Sequence, residues 1–358
     1  MMQISPEIQL FIREHSSDDV RVLALQAKKY PDIDMPTVIT QIAGRKVAAE
    51  KIPSWWEIEK IWYPKHLSLE QCSSEITARY KARLLQGDSL TDLTGGFGID
   101  CSFLATGFKS ATYVERQEEL CEIAAHNFPV LNLNHINIKN EDGVTYLQAM
   151  SPVDCLFLDP ARRNEHGGKT VAISDCEPNV AELEELLLQK ANRVMIKLSP
   201  MLDLSLALKE LKQTQEVHIL SVNNECKELL ILLGQTSPAE ISIHCVNLFT
   251  KGTQKEQHFV FTREQEQCSE CTYTDSLETY LYEPNASLLK AGAFRSIAAA
   301  YPVRKLHPNS HLYTSDTFIE NFPGRIFRIV NQCSFNKKEV KENLADLKKA
   351  NVTVRNFP

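Results

Sequence analysis

The chain has 358 residues, 43% of them hydrophobic and 24% charged, with a net charge of −7. That length suits two or three domains with ordinary cores and excludes a wholly disordered chain. No window approaches the ~18 apolar residues of a membrane span, and the start, Met1-Met2-Gln3-Ile4-Ser5-Pro6-Glu7, lacks the basic and apolar stretches of a secretory signal, so a soluble, cytoplasmic protein with no membrane partner is expected.

The ten cysteines lie mostly in apolar runs such as Val153-Asp154-Cys155-Leu156-Phe157, where a thiol acts as a small hydrophobe, and this suits a reducing compartment. Cys268-Ser269-Glu270-Cys271 has a metal-like spacing but no second pair to complete four ligands, so no metal is expected. Residues 281–358 hold 12 Lys and Arg against 6 Asp and Glu, a net +6 that leaves −13 for residues 1–280. The basic end suits either a polyanion such as RNA or a plainly solvated surface.

In chain order, residues 1–86 read as a helical domain. Ile8, Leu10, Phe11 and Ile12, then Val20, Leu23, Ala24 and Ala27 recur at helical spacing, with breaks at Ser16-Ser17, Pro31 and Pro53. Trp55, Trp56 and Trp62 fall in one stretch; aromatic clusters of this kind stack bases or, the reading favoured here, seal a junction.

Residues 87–236 alternate short β-rich runs with amphipathic stretches, the pattern of a parallel sheet covered by helices. Strands are expected at 90–93, 111–115, 136–139, 155–159, 193–197, 217–222 and 229–233, with helices between the first five and again before residue 217. Asn223-Asn224 is either a hairpin turn or part of a substrate opening. Residues 237–358 read as an α+β region, with a helix at 337–349 and a strand at 352–355. Ending directly after a strand, at Pro358, suggests that the last element of that domain lies beyond the sequence.

Asp92 closes the first strand and precedes a glycine-rich turn, Gly95-Gly96-Phe97-Gly98, where the backbone passes close beneath a ligand. The turn overlaps a dinucleotide fingerprint, but Cys101 stands where the third glycine belongs. An acid four residues before the first essential glycine suits instead a cofactor with an ammonium and a sulfonium and no pyrophosphate, as methyltransferases use. Glu115 ends the second strand, placed for ribose hydroxyls, and Asp142 with Gly143 follows the third, placed for an adenine amine; the alternative is that both acids cap the helices after them.

The fourth strand ends in Asp159-Pro160-Ala161-Arg162-Arg163, at the edge where parallel α/β folds keep their active sites. The stiff Asp-Pro turn would aim the Asp159 carboxylate and the Pro160 carbonyl at a target amine. Arg162 and Arg163 suit a phosphate or a base, or pair with Asp175 or Glu177. Lys197 and Ser199 end the fifth strand, and Glu225 with Lys227 begins the last; all four are candidates to line the substrate opening.

Together these residues resemble the class I methyltransferases, and the chain is similar throughout to a bacterial subfamily with a THUMP-like domain after the catalytic one. The matching segments are Leu69-Glu70-Gln71-Cys72-Ser73-Ser74-Glu75 with Lys81, Asp92 to Asp100, Asp159 to Arg163, Lys197 to Pro200, Glu225 to Glu228, and Tyr282-Glu283-Pro284-Asn285. The resemblance implies a Rossmann-like, seven-stranded sheet of order 3-2-1-4-5-7-6 whose final strand is antiparallel. It also implies S-adenosylmethionine as cofactor, held by Asp92, Thr94, Gly95, Gly96, Gly98, Asp100, Glu115, Asp142 and Gly143, with Gln71, Ser74 and Lys81 at its amino-acid end. A ferredoxin-like segment at about 281–324 and a THUMP-like domain after it imply structured RNA, tRNA or rRNA, as partner.

Amine methylases of bases usually carry an aromatic residue where this chain has Ala161-Arg162. Uridine carbon methylases attack through a cysteine where this chain has Ser199, so Cys176 or Cys226 would substitute only if the fold brought them there. The expected function is methylation of a base in RNA. The competing readings are a nucleotide-dependent oxidoreductase and a non-catalytic RNA-binding protein with a vestigial methyltransferase fold.

Overall fold

The computed structural model describes residues 5–162, 172–236, 238–334, 336–345, 349 and 351. The chain forms two compact units, Met1–Val217 with Glu228–Ala239, and His218–Lys227 with Glu240–Pro358. Among the described residues no helix is long and apolar enough to cross a membrane.

The first unit opens with α1 (Pro6–Glu14), α2 (Val20–Leu25) and α3 (Met35–Lys51), and the breaks read at Ser16-Ser17 and Pro31 fall between them. The side chains of Ser5, Asp19 and Asp34 accept backbone N–H bonds at the three helix starts, satisfying donors that have no partner within the helix. Phe11, Leu23, Met35, Val38 and Ile42 close a small core between these helices.

After a single helical turn at Pro53–Trp56 the chain runs without regular structure to α4 (His66–Gln71) and α5 (Glu75–Ala82). Two amide side chains take the place of a strand partner there. Asn127 bonds both the N–H and the carbonyl of Trp62, each at 2.9 Å. Gln41 does the same for Tyr63, again at 2.9 Å. Trp55 is buried edge-on against Phe97 of the glycine turn, with ring centroids 5.2 Å apart, and Trp62 stacks on His126 at 3.8 Å. Trp56 stays 41% exposed. Two of the three tryptophans therefore seal a junction, and residues 5–86 pack into the same unit as the sheet.

The sheet strands are β1 (Ser89–Asp92), β2 (Ser110–Glu115), β3 (Ile136–Asn140), β4 (Val153–Leu158), β5 (Ala191–Leu198), β6 (Thr214–Val222) and β7 (Glu225–Gly234), with α6 (Ile99–Leu104), α7 (Glu118–Val130), α8 (Gly143–Ala149), α9 (Val180–Lys190) and α10 (Leu204–Glu210) in the crossovers. Their order is β3-β2-β1-β4-β5-β7-β6, the order the resemblance implied for seven strands, in a sheet that two further strands beyond β6 extend to nine. The first five strands are parallel, and β7 runs antiparallel to β5, with Leu229 opposite Leu198. One edge of the sheet therefore gathers the C-terminal ends of five strands and the beginning of β7.

In the second unit Asn223 and Asn224 both take positive φ, 50° and 68°, the backbone of a two-residue hairpin turn. The turn reading is therefore correct. This unit continues through β8 (Ser242–Leu248), β9 (Glu256–Phe261) and α11 (Arg263–Cys268). A four-stranded sheet follows, β11-β12-β10-β13 in order, built from β10 (Tyr280–Pro284), β11 (Arg304–Lys305), β12 (Tyr313–Ser315) and β13 (Gly324–Arg328), with α12 (Ala286–Ala291), α13 (Arg295–Ala300) and α14 (Lys337–Leu344). The strand expected at 352–355 lies outside the described residues.

The Trp55 packing has a measurable consequence. Trp55→Ala is expected to cost about 3–5 kcal/mol in denaturant unfolding, the usual figure for removing a fully buried aromatic, whereas Trp56→Ala stays within about 0.5 kcal/mol, as surface substitutions do.

Candidate active site

The turn after β1 is built by close approach. A Cβ on Gly95 would stand 2.2 Å from the Tyr113 ring, and Gly96 and Gly98 hold φ of +53° and +85°, which side chains rarely tolerate. Tyr113 locks the turn by donating its hydroxyl to the Gly96 carbonyl at 2.5 Å, and Gly98 begins α6. Beneath it Cys101 is fully buried with Tyr113 and Phe128. On the other side Phe97 and Ile99 share a core with Ala48, Ile52, Trp55, Ile61, Tyr63 and Leu69, so the N-terminal helices form the packing surface of the turn.

Asp92 is buried at the end of β1. Its Oδ1 accepts the Thr94 N–H at 3.0 Å, while Oδ2 has no hydrogen-bond partner among the described residues. Burial pushes its carboxyl up to about 8; the Thr94 bond opposes this, and Asp100, Asp159 and Glu115 add to it. The Thr94 hydroxyl in turn accepts the backbone N–H of Asp159 at 2.6 Å, which ties the turn to the Asp-Pro segment.

Deeper lies a buried ionic cluster. Lys81, on α5 and fully inaccessible, places Nζ 3.0 Å from Asp100 Oδ1 and 2.5 Å from Glu228 Oε2. Lys197, at the end of β5, lies 2.6 Å from Asp159 Oδ2 and 3.3 Å from Asp100 Oδ2. Ser73 joins the two halves: its hydroxyl donates to Asp100 at 2.7 Å and accepts from Lys81 at 2.9 Å and Lys197 at 3.0 Å, the full capacity of a hydroxyl. Burial alone would raise Asp100, but the two ammoniums bring it down to about 2. Burial alone would lower Lys197, but Asp159, Asp100 and Glu228 hold it well above the usual lysine range.

Of the residues singled out in the sequence, the cluster brings together Lys81, Asp100, Asp159 and Lys197. Lys81 is an ion-pair centre here, and Lys197 is paired with Asp159. Ser73 and Glu228 were missed as site residues; both lie in the quoted matching segments, and Glu228 reaches the site because β7 enters the sheet at this edge. Glu225 and Lys227 alternate with Glu228 along the strand, are exposed, and pair with each other at 2.7 Å.

Glu115 is buried and already accepts the Gly96 N–H at 2.9 Å and the Gln117 N–H at 2.8 Å, one on each oxygen. Asp142 caps α8 through Oδ1, which accepts from Val144 and Thr145, both at 3.0 Å, so the capping alternative holds for it. Gly143 is required by space, since a Cβ would lie 2.2 Å from the Leu93 carbonyl oxygen.

Gln71 ends α4 exposed, and the Ser74 hydroxyl lies 3.1 Å from that of Thr77. Ser199 is half-buried past β5, where its hydroxyl accepts the Met201 N–H at 3.3 Å. Pro160 is buried, and the backbone of Ala161 and Arg162 pairs antiparallel with Glu177 and Cys176. Arg163 lies outside the described residues, and Glu177 pairs with Arg116 at 3.4 Å.

The ionic cluster fixes two outcomes. Lys81→Met leaves Asp100 and Glu228 buried without their shared cation and is expected to cost about 3–5 kcal/mol at neutral pH, a deficit that shrinks on acidification as Asp100 takes up a proton. In the unaltered protein Asp100 titrates at about 2, below its unfolded value of about 3.9. The stability it contributes is therefore complete above about pH 4 and is lost as pH falls toward 2, which acid unfolding monitored by circular dichroism would resolve.

Residues 280–323 match a family described as a ferredoxin-like domain, and residues 324–358 one described as THUMP domain-like. No curated protein matches the chain. Among solved structures, a "putative methyltransferase" from Porphyromonas gingivalis W83 is 35% identical over 98% of this chain and 88% of its own, with a TM-score of 0.86. A "modification subunit of a putative type I restriction enzyme" from Vibrio vulnificus YJ016 is 11% identical, over 56% of each chain, with a TM-score of 0.38. A Streptococcus mutans protein solved in complex with SAH is 13% identical, over 45% of this chain and 96% of its own, with a TM-score of 0.33; at such scores these two carry no argument about this chain. Its identity to the Porphyromonas protein along nearly its whole length places the chain in that protein's family, a class I methyltransferase fold followed by ferredoxin-like and THUMP-like segments.

Proposed function

We propose that the chain is an S-adenosylmethionine-dependent methyltransferase that modifies a base nitrogen in structured RNA, tRNA or rRNA. The observation that carries this reading is Asp92, a buried carboxyl beneath a glycine turn with one oxygen left without a partner among the described residues. Once ionised, that oxygen is a buried acceptor without a donor, which is costly, and the ammonium group of the cofactor is a donor of matching charge. The turn of Gly95, Gly96 and Gly98 would cradle the cofactor, with Thr94 beside it. Glu115 keeps one acceptor position on each oxygen for ribose hydroxyls, and Asp142 with Gly143 borders the adenine side. Gln71 and Ser74, with Lys81 and Asp100 behind them, would border the amino-acid end.

The cofactor supplies a methyl group already activated by its sulfonium, so the chain's task is to hold an acceptor in line. Asp159 is suited to this. Burial raises the affinity of its carboxyl for a proton, Lys197, 2.6 Å away, opposes this and orients the group, and the ionised carboxylate accepts the N–H of a base amine together with the Pro160 carbonyl. Arg162 and Arg163 follow directly in the chain and supply guanidinium groups for phosphate or base. The THUMP domain-like segment and the net +6 of residues 281–358 support RNA as the carrier.

The direct test incubates the full-length protein and Asp159→Ala with radiolabelled cofactor and total RNA from a strain lacking the gene, then identifies labelled nucleosides. Label in RNA is expected, reduced about 100-fold in the variant, as for a misplaced acceptor. Label confined to protein or small molecules would overturn the RNA assignment, and equal labelling by the variant would remove Asp159 from the reaction.

Cofactor binding should also depend on pH. Asp92 holds its proton below about pH 8 and must release it to pair with an ammonium. Affinity measured calorimetrically is expected to rise toward that pH, by up to about tenfold per unit, and to flatten and weaken in Asp92→Asn. A flat profile in the unaltered protein would remove Asp92 from the cofactor site.

A further inference from the structure

Three histidines of the second unit stand on three strands: His218 on β6, His244 on β8 and His258 on β9. β8 and β9 are antiparallel, with His244 opposite Val260 and His258 opposite Val246, so His244 and His258 are diagonal neighbours on one sheet face. Their rings meet with His244 Nδ1 3.1 Å from His258 Nε2. On the other side His244 stacks on His218, with centroids 4.3 Å apart and planes 17° apart, and the ligating nitrogens of these two lie within 4.8 Å of each other. The row passes from buried His218 through half-buried His244 to exposed His258.

We propose that His218, His244 and His258 form a binding site for a divalent transition-metal ion of the zinc, cobalt or nickel class. Two imidazole nitrogens 3.1 Å apart share a single proton, since each ring offers one lone pair or one N–H toward the other. A tetrahedral ion with metal–nitrogen bonds of about 2.0–2.1 Å holds its ligands about 3.3–3.4 Å apart, so the spacing of the two nitrogens suits an ion once both rings turn to aim their lone pairs at it. His218 joins by turning about χ2, a broad torsion for histidine, which brings its lone pair out of the stack.

Neutral imidazoles favour zinc, cobalt, nickel or copper over magnesium or calcium, which prefer oxygen ligands. The exposed end at His258 leaves a path for the ion and for water to complete its shell. Bound there, the ion would tie the β6–β7 hairpin to β8 and β9. Sequence spacing alone could not show this, because the ligands are separated by 26 and 14 residues and converge only through strand pairing.

The experiment titrates Zn²⁺ into the full-length, reduced protein by calorimetry. One bound equivalent is expected, with affinity reduced at least tenfold in both His244→Ala and His258→Gln and unchanged when Cys268, Cys271 and Cys333 are replaced by serine. His258 is exposed, so its variant remains informative if His244→Ala fails to fold. Zn²⁺ should raise the melting temperature of the unaltered protein more than that of His258→Gln. The Co²⁺-loaded protein should lack a thiolate charge-transfer band. Unchanged Zn²⁺ binding in His258→Gln, binding lost with the cysteines, a thiolate band, or no bound equivalent would each overturn the proposal.

Discussion

Ser73 is the small group on which the candidate site depends. Two lysines and two carboxylates, Asp100 and Glu228, are brought out of water at one sheet edge, and such burial is tolerable only when each charge keeps close partners. One hydroxyl contacts both ammoniums and Asp100, so the α5 lysine, the β5 lysine and the α6 acid are held in a fixed arrangement. Asp159 inherits its position from that arrangement through Lys197. The group proposed to meet the methyl acceptor is thus oriented from the interior.

The same edge is stiffened by packing around the glycine turn. Tyr113 fills the space that a Gly95 side chain would take and bonds the Gly96 carbonyl, while Trp55 and Phe97 meet on the opposite side. Helices that read from the sequence as a separate domain therefore work as the floor and wall of this turn. Asp92 sits between the two systems, with one oxygen lacking a hydrogen-bond partner among the described residues and with Asp100, Asp159 and Glu115 all raising its proton affinity. An incoming cation would relieve both strains together, by supplying a donor and by offsetting the negative charge.

Much of this was legible in the sequence because it is local. The glycine turn after Asp92, the strand-end acids Glu115 and Asp142, and the Asp-Pro step at Asp159 are short-range patterns whose backbone demands are specific. The hairpin at Asn223-Asn224 was legible as one of two alternatives, and positive φ at both residues shows the turn. Capping by Asp142 was likewise one of two stated uses. Less legible was side-chain direction: Glu225 and Lys227 were picked and Glu228 was not, although alternation along β7 sends Glu228 alone of the three to the ionic cluster.

The sequence by itself determined the strand and helix periodicities, the turn chemistry and the segments that carry the family likeness, since each is written in neighbouring residues. Only the tertiary structure decided that Ser73, Lys81, Asp100, Lys197 and Glu228 share one buried site, and that three histidines far apart in the chain form a row. Charges and ligands converge through strand order and the reversed direction of β7, and neither leaves a mark in local spacing. Burial then sets what those groups do, because a carboxyl such as Asp92 or Asp100 takes its proton affinity from what surrounds it.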